Sequence, residues 1–334
     1  MSLRTRIPSW MLCLFCFPAL VLAQNKPLRD HGYVNPKVLG MGQTKGIQLR
    51  YEKLLPANIS TVGDLAKTSS DLFDNRRLML KLKAPLLLRP GLKVALGFDY
   101  RNEEFEFESL NEPVFELHQE LNEKSLKSLE VNVSVVKLTK GNQFFLFRAS
   151  SKLSGDFGNR QASLDRYMRI SVAGLIGWKP NDYTAWGVGF QYNYRPGSHL
   201  VIPGIMFNKT FNRKWGVEAL LPVQAHLRHN LSEKALVYTG FELKRARYFI
   251  FMPSISDELL ELSWNEIRLG CRLEHELHDW LWLEAGAGVR ASLGLDLVTA
   301  PNPAPSRNVL QSKPGLTPYL QAGVFLVPPR KWRK

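Results

Sequence analysis

The chain has 334 residues, 45% of them hydrophobic, and carries 44 Lys and Arg against 30 Asp and Glu, a net charge of +14. That composition is too polar for a bundle of apolar helices, and no second run of about 18 apolar residues follows the first one. The basic balance fits lipid phosphates, lipopolysaccharide or small anions, and nucleic acid is excluded for a chain that opens with an export signal.

Residues 1–23 read as a cleaved signal peptide. Arg4 and Arg6 form the basic start, Trp10 to Leu22 the apolar stretch, and Val21-Leu22-Ala23 a small-residue cleavage site before Gln24. Cys13 and Cys16 follow the bulky Leu12 and Phe15, which argues against a lipoprotein. Cleavage removes both and lowers the net charge to +12. Cys271 is then the one cysteine, so no internal disulfide forms. Residues 24–45, rich in Gly, Pro and Lys without periodicity, read as a periplasmic lead-in.

From residue 46 to 327, strand-like segments follow one another. They are approximately 47–55, 76–86, 92–101, 127–138, 143–153, 166–178, 183–195, 198–209, 214–229, 235–248, 262–274, 281–294 and 315–327. Strict alternation is strongest in two of them. Trp186, Val188, Phe190, Tyr192 and Tyr194 share one face of 183–195, opposite Ala185, Gly187, Gly189, Gln191 and Asn193. Leu281, Leu283, Ala285, Ala287, Val289, Ala291 and Leu293 share a face of 281–294, opposite Glu284, Gly286, Gly288, Arg290 and Ser292. Short turns (140–142, 179–182, 212–214, 232–234, 278–279) alternate with long connections (56–75, 102–126, 154–165, 249–261, 296–314). This is the asymmetry of an outer-membrane barrel with short periplasmic turns and long extracellular loops.

The expectation is an all-β fold: an antiparallel transmembrane β-barrel of 12 to 14 strands with both termini periplasmic. The segment 214–229 alternates without a break, yet turn parity asks for a reversal near Pro222. A hairpin there makes 14 strands, and a segment that does not span makes 12. Residues 103–124, acid-rich, read as a surface loop. A basic tail, 328–334, follows the last strand.

The pieces Trp215-Gly-Val-Glu-Ala-Leu-Leu-Pro222, Leu227-Arg-His-Asn-Leu-Ser-Glu-Lys234, Tyr238-x-Gly240-x-Glu242, Glu266-Ile-Arg268-Leu-Gly270 and Trp282-Leu-Glu-Ala-Gly286 resemble an uncharacterised family of Bacteroidota outer-membrane β-barrels, domain of unknown function 6268. The resemblance covers residues 46–327. It implies a fold and a membrane, and brings no activity or catalytic residue. Barrels of that kind end on an aromatic that the barrel-assembly machinery reads; here Phe325 is followed by the basic tail.

Alternation assigns a charged lumen. Its basic candidates are Arg77, Lys81, Lys83, Lys93, Arg101, Arg148, Lys152, Arg169, Arg195, Arg228, Lys244, Arg268, Arg272 and Arg290. Its acids are Asp99, Glu130, Glu218, Glu242, Glu266, Glu274 and Glu284. The surplus of cations fits an anion-preferring pore. A salt-bridged interior that conducts little is the competing reading. Changing Arg268 and Arg272 to Glu is the corresponding test. Trp178, Trp186, Tyr192, Tyr194, Trp215, Tyr248, Trp280, Trp282 and Tyr319 lie near strand ends and read as aromatic girdles at the headgroups. Cys271 shares a face with Ile267, Leu269 and Leu273 and is placed toward lipid.

His275-x-x-His278 beside Glu274, Glu276 and Asp279 is the one cluster with metal-ligand chemistry, and a solvated turn is its ordinary reading. His226, with Glu218 two strand pairs away, comes nearest to a hydrolase dyad, and no serine sits in a distinctive context. The sequence therefore points to no cofactor and no enzyme. It leaves a small anion-preferring channel or a closed structural or binding barrel, with an outer-membrane hydrolase or a loop-borne adhesion module as alternatives. The face assignment makes a numerical claim. A charge at Val188, Ala287 or Leu283 should cost about 2–4 kcal/mol near the midplane, and much less at Gly189 or Ser292.

Overall fold

The computed structural model describes residues 36–63, 67–108, 121–122, 124–139, 141–157, 167–195, 198–252, 259–299 and 308–330. The signal peptide, most of the lead-in and the last four residues of the tail lie outside them. In chain order the strands are β1 (Ile47–Leu54), β2 (Ala57–Gly63), β3 (Lys67–Arg89), β4 (Leu92–Glu108), β5 (Ser125–Leu138), β6 (Gln143–Gly155), β7 (Met168–Asn181) and β8 (Thr184–Arg195). The second half holds β9 (Ser198–Thr210), β10 (Trp215–Leu221), β11 (Gln224–Ser232), β12 (Ala235–Phe251), β13 (Leu259–His278), β14 (Leu281–Thr299), β15 (Asn308–Pro314) and β16 (Thr317–Leu326).

From β2 to β15 each strand pairs antiparallel with the next, and β1 pairs both β16 and β3, which closes the sheet. β1 and β2 are one wall strand interrupted at Leu55-Pro56, and β15 and β16 are another interrupted at Gly315-Leu316. The result is a closed barrel of 14 strands. The reversal at Pro222 is real: β10 and β11 form a hairpin around it, in the register Leu220 with Gln224.

The wall is inside-out over its membrane span. Val188, Phe190, Leu269 and Leu283 are 46, 57, 55 and 39% exposed on the outside, while Glu266, Arg268, Glu284 and Arg290 are 3% exposed or less on the inside. A continuous apolar band of that extent belongs against lipid. Trp178 and Trp186 stack at 4.5 Å at the rim of short turns, with Trp215 stacked on His229 at 4.0 Å and Trp280 beside His278 in the same rim. Tyr192 and Tyr194 lie at the opposite end, around His199. Tyr248, Trp282 and Tyr319 depart from the girdle expectation. All three point inward and are at most 8% exposed, because they share strand parity with lumen charges rather than with the apolar band.

The wall has two heights. Above the ends of β7 to β11, β12 rejoins β6 in a parallel contact, Phe249 with Gly155. The segments β2, β3, β4, β5, β6, β12, β13, β14 and β15 thereby form a narrower upper ring. The connections expected as loops at 56–75, 102–126, 249–261 and 296–314 are thus partly strand. Acid-rich 103–108 continues β4, with Glu104 and Glu106 outside and Phe105 and Phe107 buried inside. Polarity reverses here because water, not lipid, surrounds the upper ring. On β14 the reversal needs a register shift near Leu293 opposite Asn265 and Glu266. Leu293 faces outward at 63% exposure, whereas Leu295 and Leu297 are fully buried.

Val188→Arg and Leu283→Arg are each expected to cost about 2–4 kcal/mol in denaturant titrations of barrels folded in lipid vesicles. Ser134→Arg, inside the lumen, should cost less than about 1 kcal/mol. Equal losses on both faces would refute the register. Gly189 is not a permissive position, because a Cβ there collides with the Gly174 carbonyl across the strand pair.

Candidate functional site

The lumen is stratified. Within the upper ring sits an apolar core of Phe105, Phe107, Leu121, Leu126, Ala246, Tyr248, Ile250, Met252, Leu260, Leu262, Trp264, Leu295 and Leu297. Beneath it lies a buried ionic layer. Glu266 meets Arg77 at 2.9 Å, Arg268 at 2.6 Å and Arg290 at 3.3 Å. Glu52 meets Arg268 at 2.6 Å, and Glu103 takes Arg77 at 2.5 Å and the Tyr248 hydroxyl at 2.8 Å. Arg77 and Arg290 also lie over the Trp264 ring, at 5.0 and 4.5 Å, joining the two layers.

Below this layer the charges segregate around the wall. On the β1 and β10–β14 side, carboxylates and cations are paired. Glu242 sits 3.3 Å from Arg272 and 3.4 Å from Lys244, Glu274 3.2 Å from Arg272, and Glu218 2.7 Å from Arg228. Glu284 holds Lys45 at 2.8 Å and also contacts Arg50. The β3–β6 side is different. Two spaces, of about 240 and 150 Å³, share Lys81, Asp99 and Arg148. The larger is also lined by Met79, Tyr100, Arg101, Ser128, Glu130 and Lys152, the smaller by Lys45, Gln48, Lys83, Asn132 and Ser134. Arg148 reaches Glu130 at 2.8 Å and Asp99 at 3.5 Å. Among the described residues, Lys81, Lys83, Lys93, Arg101 and Lys152 form no ion pair; Arg101 is hydrogen-bonded to Tyr248.

The other candidates fall outside this chamber. Arg169 faces the lumen from β7 with its guanidinium 5.1 Å over the Phe249 ring. Arg195 lies at the end of β8, and its side chain is outside the described set. Trp282, Phe325, Leu236, Tyr238 and Val327 make an apolar cluster at the short-turn end, with Lys45 4.1 Å over Phe325, so the last aromatic points inward. Tyr319 lies under Arg268 at 5.1 Å.

The short-turn end is crossed by residues 36–46. Val38 buries among Leu138, Phe144, Ala185 and Met206, with Met41 packed alongside. The Leu39 carbonyl accepts from Thr210 Oγ1 at 2.6 Å and Arg228 at 3.2 Å, and the Gly40 carbonyl from Asn230 at 3.2 Å. Gly40 has φ of +76°, and a Cβ there would press on the Asn230 amide, so the glycine fits this crossing where other residues are strained. Sequence reasoning missed Lys45, Arg50, Glu52 and Glu103 as lumen groups. Arg50 and Glu52 were readable from the alternation of 47–55; Lys45 and Glu103 sat in stretches without a strand assignment.

The catalytic and metal alternatives look different in three dimensions. Glu218 and His226 are direct cross-strand partners, not two pairs apart; His226 also lies 3.4 Å from Glu242. His275 is exposed on the outer face, His278 leans on Trp280, and Glu276 and Asp279 bind Arg330 at 2.8 Å. No three His, Cys, Asp or Glu side chains converge as a metal site among the described residues. Cys271 is on the outer face, 3.5 Å from Thr239 Oγ1.

No family model matches the chain, and no curated protein matches it. Solved structures do. The toluene transporter TodX of P. putida aligns with 86% of this chain and 90% of its own, at 10% identity and a TM-score of 0.36. A Pseudomonas aeruginosa FadL homologue aligns over 85% and 90%, at 8% identity and 0.38. The outer membrane protease OmpT of Escherichia coli aligns over 87% and 99%, at 9% identity and 0.28. The likeness is one of fold.

Proposed function

We propose that this barrel resides in the outer membrane, in contact with its lipid and lipopolysaccharide, and passes small anions through its lumen. What supports the reading is the basic β3–β6 side, where Lys81, Lys83, Arg101 and Lys152 line two adjoining spaces without ion pairs among the described residues. A cleft with an excess of one sign of charge between low-dielectric walls concentrates counter-ions, and here the cations outnumber Asp99 and Glu130. The polar lining argues against an apolar solute.

The axis is blocked on the outer side by the upper apolar core, so the outward route runs over the low rim of β7 to β11, past Ser171, Gln191 and Asn193. Residues 36–46 close the other end at rest. Planar-bilayer recording tests this. The full chain should conduct weakly, and deletion of 36–44 should raise conductance several-fold. Its reversal potential in a salt gradient should indicate anion preference, fading as the Debye length falls from about 10 Å at 0.1 M to about 3 Å at 1 M. Lys81→Glu with Lys152→Glu should abolish or invert the preference. Arg268 and Arg272 are the wrong residues for that test, since both sit in ion pairs that hold the wall together. Cation preference in the unaltered protein would overturn the reading.

A further inference from the structure

We infer that the larger lumenal space is a binding site for a doubly charged tetrahedral oxyanion of the phosphate class, free or as a small monoester. The inference rests on the reading of the lumen as an anion compartment and adds a ligand to it. Four neighbouring strands each place a polar group around this space of about 240 Å³: Lys81 on β3, Arg101 on β4, Ser128 on β5, and Arg148 and Lys152 on β6. Glu130 and Asp99 hold Arg148 from one side, so its guanidinium is fixed in direction rather than free to wander. The two lysines have no carboxylate within ion-pair reach among the described residues.

Charge and donor geometry together narrow the ligand. A halide carries a single charge and presents no separate acceptor oxygens to paired donors. Here two ammonium groups, two guanidiniums and a hydroxyl line one space from four adjacent strands, with two carboxylates already engaged by Arg148. Guanidiniums present paired N–H donors that match the oxygens of phosphate, and lysines supply charge without a fixed orientation. Among the described residues that line it, Met79 is the one sizeable apolar side chain with lumen parity, which leaves no seat for a long hydrocarbon tail.

The experiment uses the full chain folded in detergent, with thermal unfolding followed at constant ionic strength as chloride is replaced. Inorganic phosphate should raise the unfolding temperature along a saturating curve that chloride does not produce. Glycerol phosphate is the second probe; saturation by either supports the site, and the preferred one identifies the source. Lys81→Met with Lys152→Met should weaken the apparent affinity roughly tenfold or more. Lys81→Arg with Lys152→Arg should retain it within about threefold, which guards against a variant that fails to fold. Lys234→Met, on an exposed turn, is the control. Equal curves for phosphate and chloride, or wild-type affinity in the double Met variant, would overturn the site. Anion-selective conductance without phosphate saturation would refute the ligand and leave the channel; saturable phosphate without conductance would do the reverse.

Discussion

Glu266→Ala is expected to lower the stability of the folded barrel by about 3–5 kcal/mol, among the largest losses available to a single lumen substitution. The carboxylate is 3% exposed and serves Arg77, Arg268 and Arg290, which are themselves at most 3% exposed. Its removal leaves three guanidiniums with only Glu52 and Glu103 between them, and an unmatched buried cation is costly because water is not there to replace the lost partner. Denaturant titration of vesicle-folded protein reads the loss as a shifted midpoint. Glu266→Gln should fall between, since it keeps an acceptor and loses the charge. A loss under about 1 kcal/mol would mean that water reaches the layer and that the lumen is wetter than its packing implies.

Trp264→Ala should cost a comparable amount, about 3–5 kcal/mol, through a different mechanism. The indole is 1% exposed, stacks on Phe105 with ring centroids 5.3 Å apart, and carries two guanidiniums on its faces. Truncation empties the junction between the apolar core and the ionic layer, and both lose contacts at once. Trp264→Phe should recover much of the loss by refilling the volume and keeping an aromatic face. If Ala and Phe variants unfolded at the same denaturant concentration, packing at this junction would not be what stabilises the upper ring.

How far the fold can be read from residues depends on which solvent surrounds each stretch. Inside the membrane span, alternation was decisive: Val188, Phe190 and Leu283 face outward, and turn parity alone asked for the hairpin at Pro222 that β10 and β11 make. Above the span the same alternation is present but inverted. Glu104-Phe105-Glu106-Phe107 has a strand's periodicity, but its acids fall where a lipid-facing strand would be apolar, so it reads as a loop. Leu293, Leu295 and Leu297 have one parity and two destinations, and only the register shift on β14 separates them. Tyr248 stands near a strand end yet shares the parity of Glu242 and Lys244, so it points inward and is no girdle residue. The lumen's charge content was legible, since the parity that exposed the lipid face also named its opposite. Its segregation was not, because pairing depends on which strands meet around a closed circle. Nor was the course of 36–46, whose hold on the wall runs through backbone carbonyls that no side-chain pattern announces.

The rejoining of β12 with β6 divides the labour of the chain. Its middle, β7 to β11, builds only the membrane-embedded perimeter, while both flanks build that perimeter and the upper ring as well. Girth and crown are therefore set by separate stretches of sequence. A hairpin could be duplicated or lost within 184–232, widening or narrowing the embedded barrel, while the pairing of β12 with β6 and the contact of Arg169 with Phe249 stay as they are. The short turn at Leu221–Gln224 stands on the low side of that step, so a peptide grafted there would be displayed beside the crown and free of it.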